Sequence, residues 1–144
     1  RVLFRSTDAE GFLRQNAVAE AEIIKILQDA VAGRADIAKL LRRKESGVGR
    51  KRRPQRVPPV VYFDNDHSQR HTVLEIVADD APGLLHRMSR SISRQLCDVD
   101  LVLVSTEGHK AIDVFHITKS GRKLSESDRN ELSGDLHRML EGSE

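Results

Sequence analysis

The stretch Thr72-Val73-Leu74-Glu75-Ile76-Val77-Ala78-Asp79-Asp80-Ala81-Pro82-Gly83-Leu84-Leu85 changes its period halfway along. Before Asp79, the residues Thr72, Leu74, Ile76 and Ala78 alternate with Val73, Glu75 and Val77, the two-residue repeat of a strand. Beyond Gly83, the residues Leu85, Met88, Ile92 and Leu96 recur at spacings of three and four, which predicts a helix over about 83–95. Pro82 suits the first helical turn, where its missing N–H has no helical partner to lose. Gly83 leaves the backbone open to close approach by a ligand or another chain. A strand that hands over to a helix in this way offers free N–H groups at the helix start, with the carboxylates of Asp79 and Asp80 beside them. A small zwitterion such as an amino acid fits that pairing. Beside Pro82, its carboxylate would meet the N–H groups of Gly83, Leu84 and Leu85, and its ammonium Asp80 or Asp79. The chemistry is binding, with no reacting group.

Outward from this stretch the second half stays regular. Val60-Val61-Tyr62-Phe63 reads as a short strand closed by the turn-forming Asp64-Asn65-Asp66. Val99, Leu101 and Leu103 alternate with Val102 and Val104 in a further strand. Glu107-Gly108-His109 is a tight turn, and Ala111 to Thr118 returns as the antiparallel partner. Ser125-Glu126-Ser127-Asp128 can cap a last helix carrying Leu132, Leu136, Met139 and Leu140. The order β-βαββ-α gives an α+β fold, an antiparallel sheet with two helices on one face. A βαββαβ unit needs a strand after its last helix, and Val60–Phe63 is available to fill that edge instead.

The first half is different. Asn16 can cap a helix from about Ala17 to Ala32, with Ile24, Leu27 and Val31 on one face. Gly33 ends it, and Ile37, Leu40 and Leu41 point to a further short helix. With no strands beyond Val2–Phe4, these helices look like the end of a preceding domain whose sheet lies elsewhere. The expected organisation is therefore 1–44, the mostly helical remnant of a first domain; 45–59, a basic linker rich in Pro and Gly; and 60–144, a second domain.

Composition bounds the function. A chain of 144 residues makes one or two small domains with modest cores, so burial against partners is expected. It opens with Arg1 rather than Met, as a piece of a longer protein would. No apolar run approaches the ~20 residues of a membrane span, and no signal peptide is visible. The single Cys97 cannot form an internal disulfide, which fits a reducing compartment and a cytoplasmic location. From Arg42 to Arg56, eight basic residues face one acidic, a local +7 against a chain total of +2, which leaves −5 elsewhere.

With these residues placed, the second half resembles an ACT domain, the small ligand-sensing module of amino-acid metabolism. The segments Phe63-Asp-Asn-Asp-His-Ser68, Thr72-Val-Leu-Glu-Ile76, Asp80-Ala-Pro-Gly-Leu-Leu85 and Ser105-Thr-Glu-Gly-His-Lys-Ala-Ile-Asp-Val-Phe-His-Ile-Thr118 follow one narrower pattern. It is similar to the C-terminal ACT domain of the protein-PII uridylyltransferase/uridylyl-removing enzymes. Thr7-Asp-Ala-Glu-Gly-Phe12 and the helix after it resemble the end of the first ACT domain of those enzymes. The resemblance implies a ferredoxin-like fold and glutamine as ligand. It also implies allosteric control of uridylylation and deuridylylation of the PII signalling protein, exerted by a parent that carries nucleotidyltransferase and HD phosphohydrolase domains and uses Mg²⁺. No cofactor is implied for the present residues. Two positions depart from the pattern: Ala81 stands where the family usually has Arg, and Cys97 where a Gly is common at the helix end.

Other groupings carry less. Asp98-Val99-Asp100 resembles a metal-holding D-x-D pair, since alternation would put both carboxylates on one strand face. It lacks a phosphate loop and reads better as a solvated strand start. His67, His71, His86, His109, His116 and His137 show no zinc spacing and read as surface residues, with His86 a candidate contact near the ligand turn. Asp113 shares a strand face with Ala111, Phe115 and Ile117, where an unpaired charge is expensive. Either it meets a ligand or pairs across an interface, or, as the composition favours, that face is partly solvated. Arg50-Lys51-Arg52-Arg53 would bind phosphate backbones nonspecifically. One Tyr, four Phe and no Trp leave little for stacking bases, so a solvated tether accounts for it better than nucleic acid does. The expected partners are glutamine or another small amino acid, and another ACT domain in the same chain or in a homodimer. The alternatives are a module that dimerises without ligand and a nucleic-acid binder built on the basic linker.

Overall fold

The computed structural model describes residues 15–37, 39, 40, 42 and 57–142. The strand expected at Val2–Phe4, the segment Thr7–Phe12, Leu41, and the linker through Arg56 with its Arg50–Arg53 run lie outside the described residues. The chain divides into two compact units, one carrying the first described helix and the other carrying every strand among the described residues.

In the first unit, α1 spans Ala17–Val31, one residue short of the expected end. Asn16 accepts the Ala19 N–H at 3.1 Å as its cap, and Gly33 turns the chain with φ +69. Residues 37, 39, 40 and 42 are helical again, with Asp36 accepting the Lys39 N–H at 2.9 Å. No residue of α1 is buried. Its apolar stripe, including Ile24, Leu27 and Val31, is exposed among the described residues, as for a helix without its layer partner.

The second unit contains β1 (Val60–Asp64), β2 (Thr72–Asp79), α2 (Leu84–Arg94), β3 (Cys97–Glu107), β4 (Lys110–Lys119) and α3 (Glu126–Glu141). The four strands lie in the order β1-β2-β4-β3, all neighbours antiparallel. This is the ferredoxin-like arrangement of the α+β class. β1 pairs with β2 from Val60↔Val77 to Asp64↔Val73 and so occupies the edge that a strand after α3 would otherwise fill.

Alternation along the strands decides the two faces. Leu74, Ile76, Phe115 and Ile117 form a core layer with Leu84, Met88 and Ile92 of α2 and Leu132, Leu136 and Met139 of α3. The opposite face, including Tyr62, Glu75, Val114 and Leu103, is not the one that α2 and α3 of this unit cover. Ser125 and Asp128 close a full capping box at the start of α3, and Lys119 reaches Asp128 at 2.6 Å.

Three local expectations change. Leu96 is not on α2; it is exposed and left-handed at φ 57, because the chain must reverse between Ser93 and β3 within one turn. That left-handed position, one before Cys97, costs a non-glycine residue roughly 1–2 kcal/mol. In β3 a bulge at Asp100 breaks the alternation, so Val99 pairs with Ile117 while Leu101 pairs with His116. The face of Val99, Val102 and Val104 is therefore the helix side, and Leu101 and Leu103 lie on the other. Third, Asp113 is 2% exposed rather than partly solvated. It lies opposite Ile76 on the helix-covered face.

One buried hydrogen-bond network fixes the β1–β2 loop. Thr72 Oγ1 donates to Asn65 Oδ1 at 2.6 Å and accepts the Leu124 N–H at 2.8 Å, while Asn65 Nδ2 donates to the Leu124 carbonyl at 3.2 Å. Thr72→Val keeps the shape and strands both partners, so it is expected to cost about 1–3 kcal/mol in urea unfolding. A loss under ~0.5 kcal/mol would show that water replaces the hydroxyl.

Candidate functional site

The strand-to-helix connection is a β-turn followed by a helix, not a helix from Pro82 onward. Leu84 N–H donates to the Ala81 carbonyl at 3.0 Å, and Gly83 sits at φ 78, ψ 5 as the residue before α2. Pro82 and Gly83 thus hold the two central places of a type II turn, Pro for its fixed φ and Gly for its positive one. Pro82 lies outside the helix because Gly83 is left-handed. Any residue with a Cβ in place of Gly83 would strain this turn.

The geometry sorts the expected site residues. Asp79 ends β2 opposite Lys110 and is half-buried. Asp80 is exposed, and its N–H donates to the His109 carbonyl at 2.7 Å, tying the turn to the β3–β4 hairpin. Leu84 is a core residue, and its N–H is already used within the turn. Leu85 is exposed. Among the described residues no backbone acceptor takes the N–H of Gly83 or Leu85, two of the three donors anticipated for a carboxylate. His86 is half-buried in the first turn of α2.

Asp113 joins this end of the sheet. Its Oδ1 has no hydrogen-bond partner among the described residues. Burial, and then the negative charge of Asp80, push its carboxyl up to about 6. Its same-face neighbour across the ladder, Val104, is 54% exposed. Asp113 itself lies under the helix layer with Ile76 and Ala111, one strand in from the exposed edge. The sequence signal for it was a lone acid within an apolar face, which spacing alone cannot separate from a solvated position.

A second group of acids and histidines gathers at the opposite end of the sheet. Asp64 accepts the N–H of His67 at 2.9 Å and of Asp66 at 2.6 Å, and His67 Nδ1 lies 2.6 Å from its other oxygen. The His67 N–H first, then the His67 side chain and the Asp66 N–H, hold Asp64 at about 2. His71 Nε2 lies 2.7 Å from Asp100 and its Nδ1 3.4 Å from Ser68 Oγ, with the His116 ring edge-on at 5.8 Å. This Ser-His-Asp row was not legible from spacing. Ser68 Oγ already accepts the N–H of Arg70 at 3.3 Å and His71 at 3.1 Å, so it closes a turn instead of serving as a nucleophile. Asp98 is exposed and Asp100 is paired with His71, so the D-x-D pair does not converge. Among the described residues no group of three or more His, Cys, Asp or Glu is placed to hold a metal. Buried Cys97 has its thiol pushed up by desolvation, the reverse of an activated nucleophile. Among the same residues no helix is long and apolar enough to cross a membrane.

No family model matches the chain. Curated relatives do. The chain is 32% identical over 111 residues to the bifunctional uridylyltransferase/uridylyl-removing enzyme of Gluconobacter oxydans, covering 76% of the chain and 12% of that protein. It is 36% identical over 98 residues to the enzyme of the same name from Nitrobacter hamburgensis, covering 68% and 10%. The chain belongs to the uridylyltransferase/uridylyl-removing enzyme family. The Streptomyces coelicolor member is 35% identical over 109 residues, 76% of the chain and 13% of that protein. The match to this family thus spans about one eighth of its members' length.

Proposed function

We propose that the ferredoxin-like unit is an ACT-type sensing domain that binds glutamine and biases uridylylation and deuridylylation of the PII protein by a larger, Mg²⁺-dependent, cytoplasmic enzyme. The helical segment before it, residues 1–44, is read as the remnant of a first ACT domain and 45–59 as the tether. The observation that carries the reading is the Ala81–Leu84 turn. It leaves the N–H groups of Gly83 and Leu85 without a backbone acceptor among the described residues, next to Asp80. A ligand there shifts the enzyme only as far as it binds one domain arrangement better than another. Ala81 lacks the charge that the family's usual Arg would bring, so backbone donors carry the ligand carboxylate.

A second reading, ligand-free pairing of sheets, draws on the exposed apolar residues of the open face, Val60, Tyr62, Leu101 and Leu103. Calorimetric titration of the chain with glutamine, run beside sedimentation with and without it, separates the two. Sensing predicts saturable heat that Gly83→Val abolishes. Dimers that form equally well with no glutamine heat would remove the sensing reading and support the second.

A further inference from the structure

We infer that Asp113 is the ammonium-receiving carboxylate of the ligand site, so that the unit takes free α-amino acids and rejects those with a blocked amino group. The inference rests on the reading of the Ala81–Leu84 turn as an amino-acid seat and adds the residue that selects the ligand. Asp113 is 2% exposed, and its Oδ1 has no partner among the described residues. A buried acceptor left this way costs free energy that a fold normally removes by pairing it.

The groups around Asp113 do not supply that pairing. Across the ladder it meets Ile76 of β2 and Val104 of β3. Leu84 and Met88 of α2, which share the core layer on that face, are apolar. The charge that acts on Asp113 is the like charge of Asp80, which adds to burial in raising its carboxyl. Two carboxylates that raise one another's cost of ionisation favour a cation between them. Val104, its same-face neighbour on the edge strand, is the exposed residue next to it.

Shape narrows the cation. Unpaired N–H groups of Gly83 and Leu85 at the same end of the sheet favour an anion. A site with donors on one side and carboxylates on the other fits a zwitterion better than a simple ion. Asp80, already exposed to water, holds the outer position, and Asp113 the inner one.

The test uses the full 144-residue chain, with glutamine and N-acetylglutamine as probes in calorimetry. Wild type is expected to bind glutamine and to bind N-acetylglutamine at least about tenfold more weakly. Asp113→Asn, nearly the same shape, is expected to lose about tenfold in glutamine affinity and most of that discrimination while keeping its circular dichroism. Glutamine binding by wild type with equal affinity in Asp113→Asn overturns this inference and leaves the sensing site standing. Equal binding of both probes by wild type also overturns it. No glutamine binding by wild type overturns both.

Discussion

Phe115→Ala is expected to remove about 3–5 kcal/mol from the stability of the sheet-bearing unit. Phe115 is 1% exposed on β4, lies between Leu74 of β2 and Val102 of β3 in register, and belongs to the layer that α2 and α3 cover. Truncation loses the transfer free energy of the ring and leaves a cavity that three rigid strands and two helices cannot close. Small domains hold roughly 5–15 kcal/mol in total, so the variant should populate unfolded chain under native conditions. Urea unfolding followed by circular dichroism checks this, with Phe115→Leu as the control at under ~1.5 kcal/mol. An alanine variant within about 1 kcal/mol of wild type would mean that the core does not centre on β4.

Asp113→Asn is expected to act in the other direction. The folded state raises the Asp113 carboxyl from 3.8 to about 6, so it binds that proton more tightly than the unfolded chain does. The favourable protonated form is fully present below pH 3.8, and the stability it brings is lost as pH rises through about 6. At roughly 1.4 kcal/mol per pH unit the loss amounts to about 3 kcal/mol by neutral pH. Asparagine carries no charge and escapes it. The variant should match wild type near pH 3 and exceed it by about 2–3 kcal/mol at pH 8. Denaturation midpoints measured from pH 3 to 8 test the point, and parallel curves for the two proteins would refute it. A chain that keeps a destabilising acid in its core, where asparagine fits, is accepting a stability cost for something else the acid does.

Much of the fold was open to reading because period and punctuation agreed. The alternation of Thr72–Asp79, the Glu107–His109 turn and the Ser125–Asp128 cap each act locally, and each stands within a residue or two of its expected place. What stayed hidden depends on distant partners. The bulge at Asp100 leaves no mark in composition, since an extra residue in one strand is defined only by the strand opposite. The Thr72–Asn65–Leu124 network joins residues up to 59 apart. The burial of Asp113 depends on the helix layer packed over the sheet, which its own strand does not encode. At the candidate site the residues were legible and their roles less so. Pro82-Gly83 signalled a chain reversal, but only the left-handed Gly83 shows that Leu84 spends its N–H inside the turn.

The edge position of β1 has a mechanical consequence. In a fold whose fourth strand follows the last helix, the incoming chain attaches directly to β2. Here it arrives through Val60, which is registered opposite Val77, two residues before Asp79. Displacement of the segment leading into β1 is therefore transmitted across a five-pair ladder to the strand that ends at the Asp79–Leu85 turn. A pull on that end loads the ladder pair nearest the turn first. The start of β1 and the turn are in this sense the two ends of one short lever.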